Sequence, residues 1–312
     1  MGAQRAAWVE AFNAEAAVLD GEEQAQALLD LTKAFELVDH QLLVDAARRS
    51  GYPLALLRLS LAAYRLHRTV GADGHYSRTV VAARGITAGS GFATSELRLL
   101  LMDVMEETRS AWGNSVRLTL YVDDLTISMK GAARSISARL AAEVDHIVDI
   151  FQKQLALQVS VTKSTVVASS KGIANRVVRK PWRGILKAAS HAKLLGTATS
   201  GGRRRSTKVI NARLSKFRRV VSKMWQLRKS GANTEQMTRA AGTAAVTYGS
   251  EAQGVSNTLL QQQSSTIARA AAPQGAGRNP TLTLYLLDGP RGTLDPEFEA
   301  HTAPAKHWAI AW

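Results

Sequence analysis

The sequence predicts an α+β fold: an antiparallel sheet backed by helices, followed by a basic helical segment. Three observations predict it. Runs rich in β-formers around 27–31, 116–129 and 159–168 alternate with helical periodicities. Two of those runs are joined directly by Asp123-Asp124, as a tight turn between antiparallel strands would be. A stretch without acidic residues then carries apolar positions at helical spacing.

Taken in order, Trp8, Val9, Phe12, Ala16 and Leu19 predict an amphipathic helix ending near Asp20-Gly21. Ala27-Leu28-Leu29-Asp30-Leu31 reads as a short buried strand whose aspartate needs a partner or a metal. From His40 a helix with Leu42, Leu43, Ala46 and Ala47 in register stops at Ser50-Gly51-Tyr52-Pro53, and a second helix runs through Arg65. Thr69-Val70 and Thr79-Val80-Val81 flank Asp73-Gly74 and predict a hairpin. Gly85-Ile86-Thr87-Ala88-Gly89-Ser90-Gly91 is a glycine-rich loop. Thr94 or Ser95 is expected to cap the next helix, which carries Leu97, Leu100, Leu101, Val104, Met105 and Thr108. Strands at 116–122 and 125–129 precede a long helix marked by Ile136, Leu140, Val144, Ile147, Phe151 and Leu155. Strands at 159–161 and 165–168 lie on either side of a turn at Thr162-Lys163. After Arg203-Arg204-Arg205, the stripe Ile210, Leu214, Phe217, Val221 and Trp225 predicts a helix surrounded by Arg213, Lys216, Arg218, Arg219, Lys223 and Arg228. Beyond Gly249 the pattern weakens, with a loop-like 273–280.

The 312 residues suffice for one large domain or two smaller ones. There are no cysteines, which excludes disulfides and Cys-based zinc sites and fits a reducing compartment. No signal peptide, no myristoylation signal (Ala6 stands where Ser or Thr is wanted) and no apolar run of about 18 residues are found. The expectation is a soluble protein of the nucleus or cytoplasm, not secreted and with no membrane partner. Net charge is +15, and 20 of the 40 Lys and Arg fall in 150–234, which has no Asp or Glu. The rest of the chain is net acidic. A basic block of this kind is a solvated face, a disordered tail or a surface for phosphates; its regularly spaced apolar residues favour the phosphate surface.

Adjacent carboxylates between strands repel, and a divalent cation resolves that conflict. Nucleotidyl transfer uses two metals held by hard oxygen ligands of this kind. An Asp-Asp pair alone is more often an exposed turn, and its setting decides. Asp30-Leu31-Thr32-Lys33-Ala34-Phe35-Glu36-Leu37-Val38-Asp39-His40 resembles the first palm motif of reverse transcriptases of the non-LTR retrotransposon and group II intron class. Tyr121-Val122-Asp123-Asp124 resembles their Tyr-x-Asp-Asp box, 157–164 their lysine motif, and Lys193-Leu194-Leu195-Gly196 their primer-gripping hairpin.

The resemblance implies a polymerase palm with a ferredoxin-like or RRM-like core at 27–200, after an N-terminal helix at 1–26. It implies a basic thumb-like segment at 201–250 and leaves a tail of unassigned role at 251–312. It implies RNA-directed DNA polymerase activity with two Mg²⁺ ions, Mn²⁺ as a substitute, and RNA template, DNA primer and deoxynucleoside triphosphates as partners. By position, Asp30, Asp123 and Asp124 would hold metal, with the Leu31 carbonyl as a further ligand. Lys163 would protonate or bind the pyrophosphate, Phe35 would gate against a ribose 2′-hydroxyl, and Gly89 and Tyr121 would lie against substrate. Arg203, Arg204, Arg205, Arg213, Lys216, Arg218, Arg219 and Lys223 would meet nucleic acid. Three departures stand out. Glu36 replaces the usual second Asp, Ala88 replaces the glutamine before Gly89, and only 29 residues precede Asp30, where the family places its fingers. The expectation is therefore a palm and thumb lacking fingers. The alternative is an inactive remnant that only binds RNA or DNA.

Overall fold

The computed structural model describes residues 2–87, 89–179, 184–202, 205–273, 275 and 277–311. It contains two compact units, Gly21–Ser190 and a second built from Met1–Asp20 together with His191–Trp312.

Helix α1 (Ala3–Leu19) belongs to the second unit. Its buried residues are Ala6, Ala7, Glu10, Ala14 and Ala17, whereas Phe12 is 58% and Leu19 86% exposed. The helix therefore turns its small face inward, not the bulky stripe that periodicity predicts. Alanines let neighbouring backbone approach closely: a Cβ on Gly202 would fall 2.2 Å from the Ala14 carbonyl oxygen.

The Gly21–Ser190 unit begins with β1 (Glu23–Thr32), longer than the predicted run because its first half is written in glutamines. Helix α2 (His40–Arg49) starts at Asp39, whose carboxylate accepts from the N–H groups of Gln41 and Leu42. Helix α3 (Leu54–Tyr64) follows Pro53. The expected hairpin is present as β2 (Gly71–Ala72) and β3 (His75–Tyr76) around Asp73 and Gly74, both at positive φ. Helix α4 (Ala93–Trp112) buries Leu97, Leu100, Leu101, Val104 and Thr108, but its N-cap is Phe92, not Thr94 or Ser95. Strands β4 (Arg117–Tyr121) and β5 (Asp124–Gly131) are followed by α5 (Ala133–Asp149), which widens into a π turn at Ile150–Gln154. Then come β6 (Gln158–Val159), β7 (Thr165–Ala168), α6 (Lys171–Arg179) and β8 (Lys187–Ala188).

Strand order in the sheet is β4-β5-β1-β7-β8, with β6 on the far end of β1. Among the described residues, only β7–β8 is parallel in this sheet. The first strand thus lies between the third and fourth strands of a β-α-β-β-α-β sequence, the ferredoxin-like arrangement expected. Register fixes two unlike faces. Ala25, Ala27, Leu29, Leu125, Ile127, Met129 and Val166 join Leu140, Val144 and Ile147 of α5 in the core. The residues that alternate with them (Gln24, Gln26, Leu28 and Asp30 on β1; Asp124, Thr126 and Ser128 on β5) share the opposite face.

The second unit continues with a hairpin, β9 (Ala192–Leu194) and β10 (Thr197–Thr199), turning at Leu195-Gly196. Helix α7 (Lys208–Lys229) buries Ile210, Leu214, Phe217, Val221 and Met224. After α8 (Thr234–Met237), α9 (Thr243–Thr247) and α10 (Ser250–Gln253) come α11 (Asn257–Ala271), α12 (Pro280–Asp288) and α13 (Pro296–Ala311). The segment whose pattern seemed weak is therefore helical. Ser256 and Asn279 cap α11 and α12, and the buried Gln263 donates from Nε2 to the Val246 carbonyl at 2.7 Å. Asp288 is held the same way. Burial would raise its carboxyl, but bonds from the Leu294 N–H, Thr293 and Arg239 hold it below its ordinary value.

Glu143 of α5 is fully buried, and neither carboxylate oxygen has a hydrogen-bond partner. Burial pushes its carboxyl up to about 8, against a smaller opposing effect of Arg139. The folded protein thus holds the neutral acid, and the unfolded chain ionises near 4.5. Stability is complete below that value and falls as pH rises towards the folded pKa, by on the order of 1 kcal/mol per pH unit. Glu143→Gln should remove this slope. Urea unfolding at acidic, neutral and mildly alkaline pH is expected to show the variant gaining on the wild type as pH rises.

Candidate active site

The β1–β5 ladder ends at Asp30 opposite Asp124, and the β4–β5 ladder ends at Tyr121 opposite Asp124. Val122 and Asp123 therefore form the two-residue turn. Val122 has φ +59°, an uncommon conformation for a β-branched residue, which marks backbone strain at the tip. Like charges directly across an antiparallel pair are destabilising, so the Asp30–Asp124 juxtaposition demands a cation.

One cation comes from the turn after β6. Lys163 Nζ lies 3.2 Å from Asp30 Oδ2, with side chains 70% and 27% exposed. The contact is ionic only: Oδ2 is buried and has no hydrogen bond of acceptable geometry. The Asp30 backbone is tied to the same turn. Its N–H donates to Ser164 Oγ at 3.2 Å, and its carbonyl accepts from the Ser160 N–H at 2.8 Å. Leu31 is buried and pairs with Val159. Asp30, Asp123, Asp124 and Lys163 are thus brought to one end of the sheet, while among the described residues no three His, Cys, Asp or Glu side chains converge as a metal-holding group.

Phe35 lies in the turn after β1, half-buried against the core. The glycine-rich segment is zipped to that turn: Ile86 N–H donates to the Phe35 carbonyl and Gly85 N–H to the Val38 carbonyl, both at 2.7 Å. Gly85 has φ +97°, and a Cβ there would meet the Glu36 carbonyl oxygen at 2.9 Å. Gly89 has φ +91° in the turn that ends with Ser90 N–H donating to the Thr87 carbonyl. Ala88 lies outside the described residues.

Sequence reasoning missed the residues that fix this loop. His40, buried, donates from Nε2 to the Gly85 carbonyl at 2.9 Å, and its Nδ1 accepts from Arg65 Nε at 3.1 Å. Tyr64 Oη donates to Glu96 Oε2 at 2.6 Å and lies 3.1 Å from Ser90 Oγ; burial and the Glu96 bond raise the phenol. No motif announces them, because a lone His or Tyr inside a helix pattern reads as packing.

In the second unit the cations of α7 divide into two groups. Lys216, Arg219 and Lys223 are exposed at i, i+3 and i+7 on one face. Arg218 is exposed and donates to Gln262. Arg213 is committed: it donates to the carbonyls of Gly196 and Tyr248 at 2.5 Å each and lies 4.6 Å over the Tyr248 ring, and burial lowers its guanidinium. Arg205 pairs with Glu15 at 3.1 Å. Arg203 and Arg204 lie outside the described residues.

An antiparallel sheet backed by helices, with aspartates at the ends of two adjoining strands, is the arrangement expected of a polymerase palm. The sequence model of the family described as reverse transcriptase (RNA-dependent DNA polymerase) matches residues 5–199. The chain belongs to that family. No curated protein matches it. Among solved structures, a telomerase from Candida albicans in complex with a TWJ fragment of telomeric RNA is similar at 10% identity and a TM-score of 0.49, covering 93% of this chain and 48% of that one. The chain thus spans about half the length of that relative. Among the described residues no helix is long and apolar enough to cross a membrane.

Gly85→Ala should cost about 1–3 kcal/mol in urea unfolding, because the new Cβ meets backbone and the positive φ is strained. Reversing Lys216, Arg219 and Lys223 to Glu should weaken RNA binding and reduce the log–log salt slope by about 2–3, read by fluorescence polarisation across ionic strengths. The same change at Arg213 should instead lower thermal stability.

Proposed function

We propose that this chain is an RNA-directed DNA polymerase unit that adds deoxynucleotides to a primer 3′-hydroxyl. The observation that carries the reading is the β1–β5 register, which sets Asp30 opposite Asp124, the residue that follows Asp123 of the β4–β5 turn, in a chain of the reverse transcriptase family. The donor set suits a hard divalent cation, and buried Asp30 Oδ2, lacking a hydrogen bond, keeps acceptor capacity for one. Asp30, Asp123, Asp124 and the Leu31 carbonyl are the groups that would hold two Mg²⁺ ions, with Mn²⁺ as a substitute. When bound, such ions activate the attacking hydroxyl and neutralise charge on the leaving oxygen.

The chain's own residues account for the rest. Lys163, largely exposed, holds a proton at Nζ that pyrophosphate can take or pair with once the charge of Asp30 is otherwise compensated. Phe35, whose carbonyl accepts from the Ile86 N–H, is the side chain that would exclude a ribose 2′-hydroxyl. Gly89 and Tyr121 leave room for, and border, the incoming deoxynucleotide. Lys216, Arg218, Arg219 and Lys223 bind the phosphates of an RNA template and DNA primer, work suited to the nucleus or cytoplasm. A second reading, a non-catalytic RNA or DNA binder, is favoured by the ion pair of Lys163 with Asp30 and by the lack, among the described residues, of a converged trio of carboxylates.

Primer extension on an RNA template separates the two. With Mg²⁺ or Mn²⁺ the wild type should extend the primer, and Asp123→Asn should lose about two orders of magnitude or more in rate while RNA affinity holds. Salt-sensitive RNA binding without extension by the wild type would assign the second reading.

A further inference from the structure

Helix α3 carries a stripe that the polymerase reading does not use. Leu54, Leu57, Arg58, Leu61, Ala62 and Arg65 line one side of a groove of about 390 Å³, and Val44 and Arg48 of α2 line the other. The α3 positions follow i, i+3, i+4, i+7, i+8 and i+11, so the groove runs for about 16 Å, three helical turns. Leu57 forms its floor at 1% exposure, while Leu54 is 48% exposed at the rim. The three arginines are exposed. Arg48 has only a 3.7 Å contact with exposed Asp45, and Arg65 is positioned by His40.

We propose that this groove docks an acidic amphipathic helix from another protein, with leucine-like side chains in the trough and carboxylates on Arg48, Arg58 and Arg65. Charge complementarity selects the occupant. A trough lined by aliphatic side chains and edged by guanidinium groups matches the helix-in-groove mode, in which apolar anchors recur at i, i+3, i+4 and i+7. A nucleic acid could pair phosphates with the arginines, but with no aromatic side chain in the lining for its bases to stack on it would leave the aliphatic trough uncovered, which disfavours it as the occupant. A second copy is disfavoured too, because self-pairing about a two-fold axis would bring six arginines into one interface whose lining has no acidic side chain to compensate them.

The test uses the full chain and a fluorescein-labelled helical peptide with leucines at i, i+3, i+4 and i+7 flanked by glutamates. Polarisation should show saturable binding, weakened about tenfold by Arg58→Glu and by Leu54→Asp, both at exposed positions, and relieved by added salt. A peptide with lysines in place of the glutamates should not bind. Primer extension, where present, should be unchanged in both variants. Equal binding of the lysine peptide, or no binding of the glutamate peptide, overturns the proposal. So does displacement of the peptide by a short RNA, which would make the groove a nucleic-acid surface. Sedimentation showing that Leu54→Asp turns a dimer into a monomer would reassign it to self-association.

Discussion

The rest of the Gly21–Ser190 unit depends on how β1 pairs with β5. Side chains alternate along a strand, so a slip of one residue would send Asp30 into the core and Leu29 and Leu31 out of it. The correct register does two things at once. It gathers Ala25, Ala27, Leu29, Leu125 and Ile127 under α5, and it leaves two carboxylates facing each other at the sheet end. The apolar face supplies the stabilisation that offsets the electrostatic cost of the polar one. Removing apolar area from water is worth roughly 25 cal/mol per Å², and the residues on that face are almost wholly buried. Lys163, carried by the turn to which the Asp30 backbone is bonded, compensates part of the charge.

The glycine-rich segment shows how such a site is kept in place from behind. Its contacts with the turn after β1 are backbone hydrogen bonds, and the side chains that enforce them, His40, Arg65, Tyr64 and Glu96, come from helices on either side of the loop. Of these, His40, Tyr64 and Glu96 are buried, and buried polar groups are costly when unpaired and directional when paired. A loop held by them keeps its path without a large apolar surface of its own.

The parts legible in the sequence are those where one residue type can satisfy the local chemistry. Asp30 in an apolar run and the turn formers Asp73-Gly74 and Leu195-Gly196 fall where expected, whereas the β4–β5 turn is Val122-Asp123, one residue earlier than the expected Asp123-Asp124, and Asp124 opens β5. The helix faces of α4, α5 and α7 follow their periodicity as well. What stayed hidden depended on a partner distant in sequence. The glutamines of β1 look like loop until the sheet is known to have a polar face. The alanine side of α1 looks solvent-facing until Gly202 is seen against it. Arg213 looks like its neighbours on α7, and only the β9–β10 hairpin and Tyr248 distinguish it. The helices after Gly249 bury Gln263, Ser264 and Thr266, which weakens the apolar signal.

The second unit joins the two ends of the chain. Helix α1 packs with β10 and α10, and its Glu15 pairs with Arg205, 190 positions later. During synthesis α1 emerges before its partners and must wait, with its alanine face uncovered, while the whole of Gly21–Ser190 is made and can fold. Closing so long a loop adds entropy cost that grows only slowly with length, so the delay is one of time more than of final stability. Small residues on the waiting face expose little to misassociate with, and that face can remain open until its partners are translated.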